Sequence, residues 1–245
     1  MSECLVVKKE ILEKTDFWQR LPKVDGKIYG MVKLSPGEIE EFLNIVEENK
    51  EFKGRGGSGG IENKPEWQQI IFYGLIRQKD RFFVYQRGGE KSQYKEKRLQ
   101  SKISVGIGGH IEPFDNNLID SLYREFDEEA ALKKNGQEIN LKDKEGKVTE
   151  KSFASLADIY ISGLIKYETD EVGEVHLGLA CEINLLDPDL AVEIREGENV
   201  EGKMMNLKEY QDWVRQREAV PEFWTQIFIE EISKELKPLK SKERI

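Results

Sequence analysis

The sequence predicts an α+β fold, a mixed β-sheet covered by helices and preceded by a strand-helix extension, and three observations lead there. β-Branched and aromatic runs at WQQIIFYGLI, RFFVYQR, ADIYISGLIKY and EVHLGLACEINL read as strands. Apolar residues recur at helical spacing in LSPGEIEEFLNIVEEN, between Asn117 and Leu132, and twice in the tail beyond Leu207. Strands and helices follow one another without a regular βαβ rhythm, so the sheet should be mixed rather than parallel throughout.

Within residues 1–50, the run Cys4 to Val7 is a short strand. Ser35 caps a helix whose first position is Pro36 and whose buried face is Ile39, Phe42, Leu43, Ile45 and Val46. KGRGGSGGIENKP then offers glycines that leave nothing apolar to bury, which reads as a mobile linker; a phosphate-cradling loop would want a strand before it and a helix after it, and neither is evident here. Residues 1–60 are therefore expected to be an extension with its linker, and 61–245 the main domain. From Trp67 a hairpin turns at Arg77 to Asp80. The basic segment GGEKSQYKEKRLQSK is loop-like, and ISVGIGGHIE is a strand that breaks into a glycine turn. A helix from Asn117 to Leu132 follows, then the charged stretch KKNGQEINLKDKEGKVTEK, a solvated hairpin or loose insertion turning at Gly146. The next two strands are joined by the acidic loop ETDEVG. Helices at Leu207 to Arg217 and Pro221 to Leu236 close the chain, anchored by Trp213, Phe223, Trp224 and Phe228.

The 245 residues fit one or two domains with a full core. With 38 Lys+Arg against 47 Asp+Glu, the net charge of −9 argues against broad nucleic-acid binding. Two cysteines far apart, Cys4 and Cys181, exclude a disulfide scaffold and a zinc ribbon. The N-terminus has no secretory apolar run, and no stretch approaches the ~18 apolar residues of a membrane span. A soluble cytoplasmic protein without membrane partners is the expectation.

Chemistry concentrates in GIGGHIEPFDNNLIDSLYREFDEEAAL, Gly106 to Leu132. At about 100° per residue, Leu118, Ile119, Leu122, Phe126 and Ala130 form one apolar stripe, and Glu125, Glu128 and Glu129 fall together on the adjoining sector. Like charges three and four apart oppose the helix by roughly 0.2–0.5 kcal/mol per pair, so positive charge is needed there. Arg124 is the local candidate. A hard divalent cation, Mg²⁺ or Mn²⁺, is the other, since it accepts several carboxylate oxygens at once. The glycine turn, lacking Cβ atoms, can approach the helix and offer a carbonyl or an N–H. A solvated acidic face is the plain alternative.

This stretch resembles the signature of the Nudix (MutT-type) hydrolase superfamily, G-x5-E-x7-R-E-U-x-E-E-x-G-U with U aliphatic, at Gly109, Arg124, Glu125, Glu128, Glu129 and Leu132, with Phe126 in the first U place. Within the superfamily it is most similar to predicted bacterial phosphoesterases that have a GIGGHI-type turn followed by an Asp. The pattern departs in three places. Fourteen residues separate Gly109 from Arg124 where it has thirteen, Asp115 stands in the first Glu place, and Ala131 replaces the last Gly, so the helix should run on. The resemblance covers roughly Pro65 to Trp213 and implies an α/β/α sandwich.

It also implies that Glu125, Glu128 and Glu129 ligate Mg²⁺ or Mn²⁺, with a Gly108 carbonyl as a further ligand, while Arg124 orients them. Hydroxide from metal-bound water would then split a diphosphate linkage in a nucleoside diphosphate joined to another group. The base would be Glu125 or a loop acid among Glu168, Glu171 and Glu174. Arg87, Gly109 and His110 are candidates for meeting substrate, with Lys91, Lys95, Lys97, Arg98 and Lys102 as further cations. Trp67, Phe72 and Tyr73 could stack a base or be strand core. The catalytic set is thus Glu125, Arg124 and Glu128. A Nudix-fold ligand-binding or regulatory module without turnover is the alternative. An isoprenoid diphosphate isomerase would need a catalytic cysteine near a histidine, for which Cys181 gives little support. A homodimer stays open.

Overall fold

The computed structural model of the protein describes residues 2–57, 59–88, 101–115, 118–195, 202–217 and 219–236. Its N-terminal part contains β1 (Glu3–Lys8), α1 (Lys9–Leu12), α2 (Asp16–Gln19), β2 (Lys23–Val24), β3 (Lys27–Lys33), α3 (Pro36–Asn49) and β4 (Glu51–Gly54). After a 3-10 turn at Ile61–Asn63 come β5 (Trp67–Gln78), β6 (Arg81–Gln86), β7 (Ile103–Ser104) and β8 (Gly106–Ile107), followed by α4 (Leu118–Glu129), β9 (Ala130–Lys134), β10 (Gln137–Glu138) and α5 (Glu150–Phe153). The remainder is β11 (Ala157–Tyr167), α6 (Glu171–Val175), β12 (His176–Leu185), β13 (Leu190–Ile194), β14 (Gly202–Met205), α7 (Leu207–Arg217) and α8 (Phe223–Leu236).

The main sheet runs β14-β6-β5-β12-β11-β3-β2. β5 and β12 are parallel and their neighbours antiparallel, so the sheet is mixed as expected. β5 is long enough that one edge pairs with β12 from Gln69 to Arg77, while the other is shared by β1, β8 and β6 in turn. Pleating sends its alternate side chains to opposite faces. Ile70 and Phe72 join the core beneath α3 and the start of α4, whereas Tyr73 and Leu75 join the core beneath α7 and α8. Helices therefore cover both faces, the predicted α/β/α layering. Phe126, Ala130 and Leu132 pack with α5 and the small β10-β9-β13 sheet in a third cluster.

The N-terminal extension is woven into this sheet. β1 pairs with β5 at Val6 and Gln69, and β3 pairs with β11. α3 starts as predicted, with Ser35 capping Glu38 and the Glu38 carboxylate accepting from the Ser35 N–H at 2.7 Å. The expected mobile linker is instead a turn with an anchored end. Ile61 is buried with Cys4 and Val6, and Trp67 packs against them, so the segment does have apolar surface to hide. The glycine at position 60 is required there, because a Cβ would sit 2.1 Å from the Arg55 carbonyl oxygen.

The helix predicted to reach Leu132 ends at Glu129. Ala130 to Leu132 extend instead because they pair with Val192 to Ile194, a strand too short and too mixed in polarity to stand out in the sequence. Arg195 fixes the exit by donating from its backbone to Glu129 O at 2.8 Å and from Nε to Ala130 O at 3.1 Å. Beyond it, Asn135 and Gly136, with φ of 52° and 79°, make the two-residue turn between β9 and β10. The charged insertion is thus a hairpin at its start, and Leu141 within it is buried. No helix among the described residues is long and apolar enough to cross a membrane.

The reciprocal cap at α3 sets a stability test. Ser35→Ala should lower the unfolding free energy by about 1 kcal/mol, seen as a lower urea midpoint at unchanged slope.

Candidate functional site

The predicted residues meet where the glycine turn crosses α4. Arg124, in the middle of that helix, reaches back under the loop that precedes it. Its Nε and Nη2 donate to the two Asp115 carboxylate oxygens at 2.8 and 2.9 Å, and Nη2 also donates to the His110 carbonyl at 3.0 Å. Nη1 donates to Glu125 at 2.8 Å and to Glu128 at 3.2 Å. One guanidinium therefore ties the turn, the following loop and two helix carboxylates together, using the fork geometry that lysine lacks. Asp115 is almost buried, and its Oδ2 also accepts from the Glu112 N–H at 2.8 Å. It serves as loop anchor and counter-charge to Arg124, which is why an acid stands in the first Glu place of the signature.

The two glycines are needed for contact. A Cβ on Gly109 would lie 2.4 Å from Glu125 Oε2, so the carboxylate packs directly against the turn. Gly108 has φ of +135°, and its N–H donates to Glu129 Oε2 at 2.8 Å. Burial pushes the Glu125 carboxyl up to about 7; Arg124 works in the opposite direction, and Glu128 and Glu112 reinforce the rise. Glu128 is exposed.

These donors suit a hard divalent cation in kind: they are carboxylates on one helix face, and the buried one carries a charge that more positive potential would stabilise. Their arrangement is a different matter. Among the described residues no three His, Cys, Asp or Glu side chains are gathered so as to hold a metal ion. Glu129 is engaged with the Gly108 amide, while Glu125 and Glu128 lean on Arg124.

The chain's two histidines also meet here. His110 Nε2 lies 3.0 Å from Gln69 Oε1 and 3.2 Å from His176 Nε2. His176 Nδ1 is 2.6 Å from the Val172 carbonyl, so it carries the proton there, and His176 Nε2 is left to accept from His110. Burial, then the neighbouring His176, hold His110 well below the ordinary histidine range, which keeps it neutral. Cys4 completes the row, donating to Gln69 Oε1 at 3.4 Å, with its thiol pushed up to about 12 by burial. Sequence reasoning missed Gln69 and Cys4, which are recognisable only once β1, β5 and β12 lie side by side. Cys181, the thiol weighed for isomerase chemistry, is fully buried and held protonated, so it is no nucleophile.

The acidic loop between β11 and β12 is clamped from below. Lys166, fully buried, donates to the carbonyls of Gly173, Glu174 and His176 at 2.9, 3.3 and 3.2 Å. Glu168 binds Lys9 at 2.8 Å and accepts from the Ile28 N–H at 3.3 Å. Burial favours its neutral form, but Lys9 and Lys166 prevail and hold it below the usual carboxylate range. Among the three loop acids Glu168 is thus spent on structure, whereas Glu171 is exposed and Glu174 half-buried on α6.

Arg87 lies farther off. Its Nε pairs with Glu222 at 3.2 Å, and Glu222 also accepts from Tyr73 and Ser104. It connects to the turn only indirectly, since Ser104 Oγ accepts from the Gly106 N–H at 3.3 Å and Tyr85 donates to the Gly106 carbonyl at 3.0 Å. Phe72 and Tyr73 are core. Trp67 has Lys53 over its ring, 4.3 Å from the centroid. Lys102 Nζ lies over Phe223, and Lys91, Lys95, Lys97 and Arg98 fall outside the described residues. An aromatic not anticipated is Phe114, 67% exposed on the loop with the Arg124 guanidinium 5.3 Å from its ring centre.

Two measurements probe this scaffold. Asp115→Asn leaves Arg124 short of a buried counter-charge and should cost about 2–3 kcal/mol in urea unfolding. Burial pushes the Lys166 ammonium down to about 7, while an unfolded lysine keeps its proton to about 10.4. Between those values the unfolded chain binds more protons, so this residue makes stability rise with pH, by on the order of 4–5 kcal/mol. Below about 7 both states hold the proton and the cost of the buried charge is complete. Lys166→Met should remove the rise, visible as a flatter dependence of urea midpoint on pH from 7 to 10.

Comparison with known proteins bears on the fold and the family. No protein-family model matches the chain. Protein YmaB of Bacillus subtilis (strain 168) is 31% identical over 175 residues, 70% of this chain and 74% of YmaB. The crystal structure of Tm1382, a candidate Nudix hydrolase, aligns over 95% of this chain and 98% of its own at a TM-score of 0.64 and 22% identity. The mixed sheet between two helical layers, with the glycine turn laid against the acidic helix, is accordingly a Nudix fold, and by its likeness to YmaB the chain belongs to the YmaB family.

Proposed function

We propose that the chain is a divalent-metal-dependent hydrolase of the Nudix type, a phosphoesterase with a GIGGHI turn that splits a diphosphate linkage in a nucleoside diphosphate derivative. The observation that carries the reading is Glu125: a carboxylate pressed against Gly109, largely out of water, with its pKa raised to about 7. A buried acid of this kind beside two further carboxylates is costly for a structural surface and useful for binding a cation or moving a proton. The Nudix fold agrees with it.

Glu125, Glu128 and Glu129 would hold Mg²⁺ or Mn²⁺, with the Gly108 carbonyl as a further ligand. Bound there, the metal would supply a water of lowered pKa and positive charge against the diphosphate oxygens. Arg124 keeps Glu125 and Glu128 on one side of the helix and secures the turn through the His110 carbonyl. The proton of an attacking water would go to Glu125 or to a loop acid. Glu171 and Glu174 are the loop acids left for that role, Glu168 being held by Lys9. Gly109 and neutral His110 would face the substrate, and Arg87, anchored by Glu222, would act only at its far end. One observation favours the module without turnover: the helix carboxylates are partnered by Arg124 and Gly108 rather than gathered at a common point.

The test is release of phosphate or nucleotide from a panel of nucleoside diphosphate derivatives with Mg²⁺ or Mn²⁺. Wild type should turn over at least one, EDTA should abolish it, and Glu125→Gln and Glu129→Gln should each lower kcat by about 100-fold or more. Equal rates in wild type and Glu129→Gln would end the assignment, and ligand binding without hydrolysis would select the module.

A further inference from the structure

The glycine-rich segment of the extension lies beside the candidate site rather than away from it. β1 brings Glu3 opposite Gly54 and Cys4 opposite Lys53, so Arg55 leaves β4 just beyond the paired residues. Its N–H donates to Ser2 O at 3.2 Å, and its carbonyl accepts from the Glu62 N–H at 3.4 Å. Gly57, with φ of +90°, and the close approach of Gly60 bend the loop back over that carbonyl. The same β1 strand reaches the glycine turn on its other side: Leu5 donates to the Ile111 carbonyl at 2.9 Å, and Cys4 joins the Gln69 and His110 row. The loop is thus a fixed arm, preceded by a strand, that ends one strand away from His110.

Arg55 is poorly matched at this position. Among the described residues its one acid contact is with Glu62 at 3.5 Å, long for a charge-assisted bond, and its Nε is buried without an acceptor. Gln69, fully buried, likewise has Nε2 without an acceptor, its Oε1 being taken by Cys4 and His110. A buried donor short of an acceptor is costly; the Arg55 Nε belongs to a side chain that oxygen from solvent can reach, whereas the enclosed Gln69 amide is no part of a ligand surface. The Arg55 side chain is 31% exposed, so its fork can be reached from solvent. Lys53, the adjacent cation, is occupied by Glu51 and by the Trp67 ring.

We propose that Arg55, carried to the site by the glycine-rich loop of the extension, is the anion-binding arm that holds a phosphate of the substrate, exchanging its long contact with Glu62 for oxygens of the ligand. A guanidinium matches two phosphate oxygens at once, which fits an arm that clamps a diphosphate while the carboxylates of α4 act on its other side. This rests on the reading of the site as one for diphosphate compounds.

The experiment separates the two. Binding of ADP and of inorganic pyrophosphate to the full chain is measured by calorimetry in EDTA, where neither metal nor turnover contributes. Wild type should bind, Arg55→Ala should bind at least tenfold more weakly, and Arg55→Lys should recover part of the loss. In Mg²⁺, with a substrate found to be hydrolysed, Arg55→Ala should raise KM about tenfold or more with kcat changed less. Equal affinity of wild type and both variants, or no binding of either anion by folded wild type, overturns the proposal and leaves the orphaned donors to ordered water. Arg55-dependent binding without hydrolysis of any substrate would sink the catalytic reading and keep this one.

Discussion

The Arg124 guanidinium is the constraint on which the rest of the site depends. It is the point at which the glycine turn, the loop after it and the acidic face of α4 are held in one arrangement, through His110 O, Asp115, Glu125 and Glu128. Three carboxylates around one cation would be unstable as a bare cluster on a helix, and burial raises the cost further. The guanidinium distributes its donors among them, and Gly108 relieves Glu129 with an amide. Negative charge is thereby concentrated beside a turn that has no side chains to shield it.

Around that centre the fold uses buried polar groups as fasteners. Lys166 secures the segment leading into β12, and Glu222 gathers Arg87, Tyr73 and Ser104 at the start of α8. Each consists of a charge satisfied by several partners, the condition under which burial of ions is tolerated. The histidine pair belongs with them, since His176 is fixed by Val172 and in turn fixes the ring of His110. The wall that faces a ligand is therefore set by hydrogen bonds between elements distant in the chain.

Much of the fold was legible because period and punctuation carry it. Ser35 and Pro36 marked α3, the alternating aromatic runs marked β5, β6, β11 and β12, and Leu207 and Phe223 open the two closing helices where expected. The site helix was legible through Arg124 and its glutamates. What escaped depended on pairing across the sheet. Ala130 to Leu132 are as apolar as a helix end, and only β13 makes them a strand. Glycines at 54–60 resemble a spacer until Ile61 is found buried and Gly60 is found pressed on Arg55. Gln69 is unremarkable in a strand, and its place between Val6 and His176 comes from register alone.

The parallel pairing of β5 with β12 has a kinetic consequence. Gln69 and His176 are adjacent in space but separated by more than a hundred residues, and the intervening chain includes α4 and the β9-β10 hairpin of the small sheet. Closing so long a segment is entropically slow, even though β5 and β12 each have a local antiparallel partner in β6 and β11. The hairpins and helices have time to appear first, while the row of Cys4, Gln69, His110 and His176 must wait for this closure. Assembly around the glycine turn is consequently tied to completion of the sheet, so a nascent or partly assembled chain has its acidic helix in place well before the strands that flank the turn.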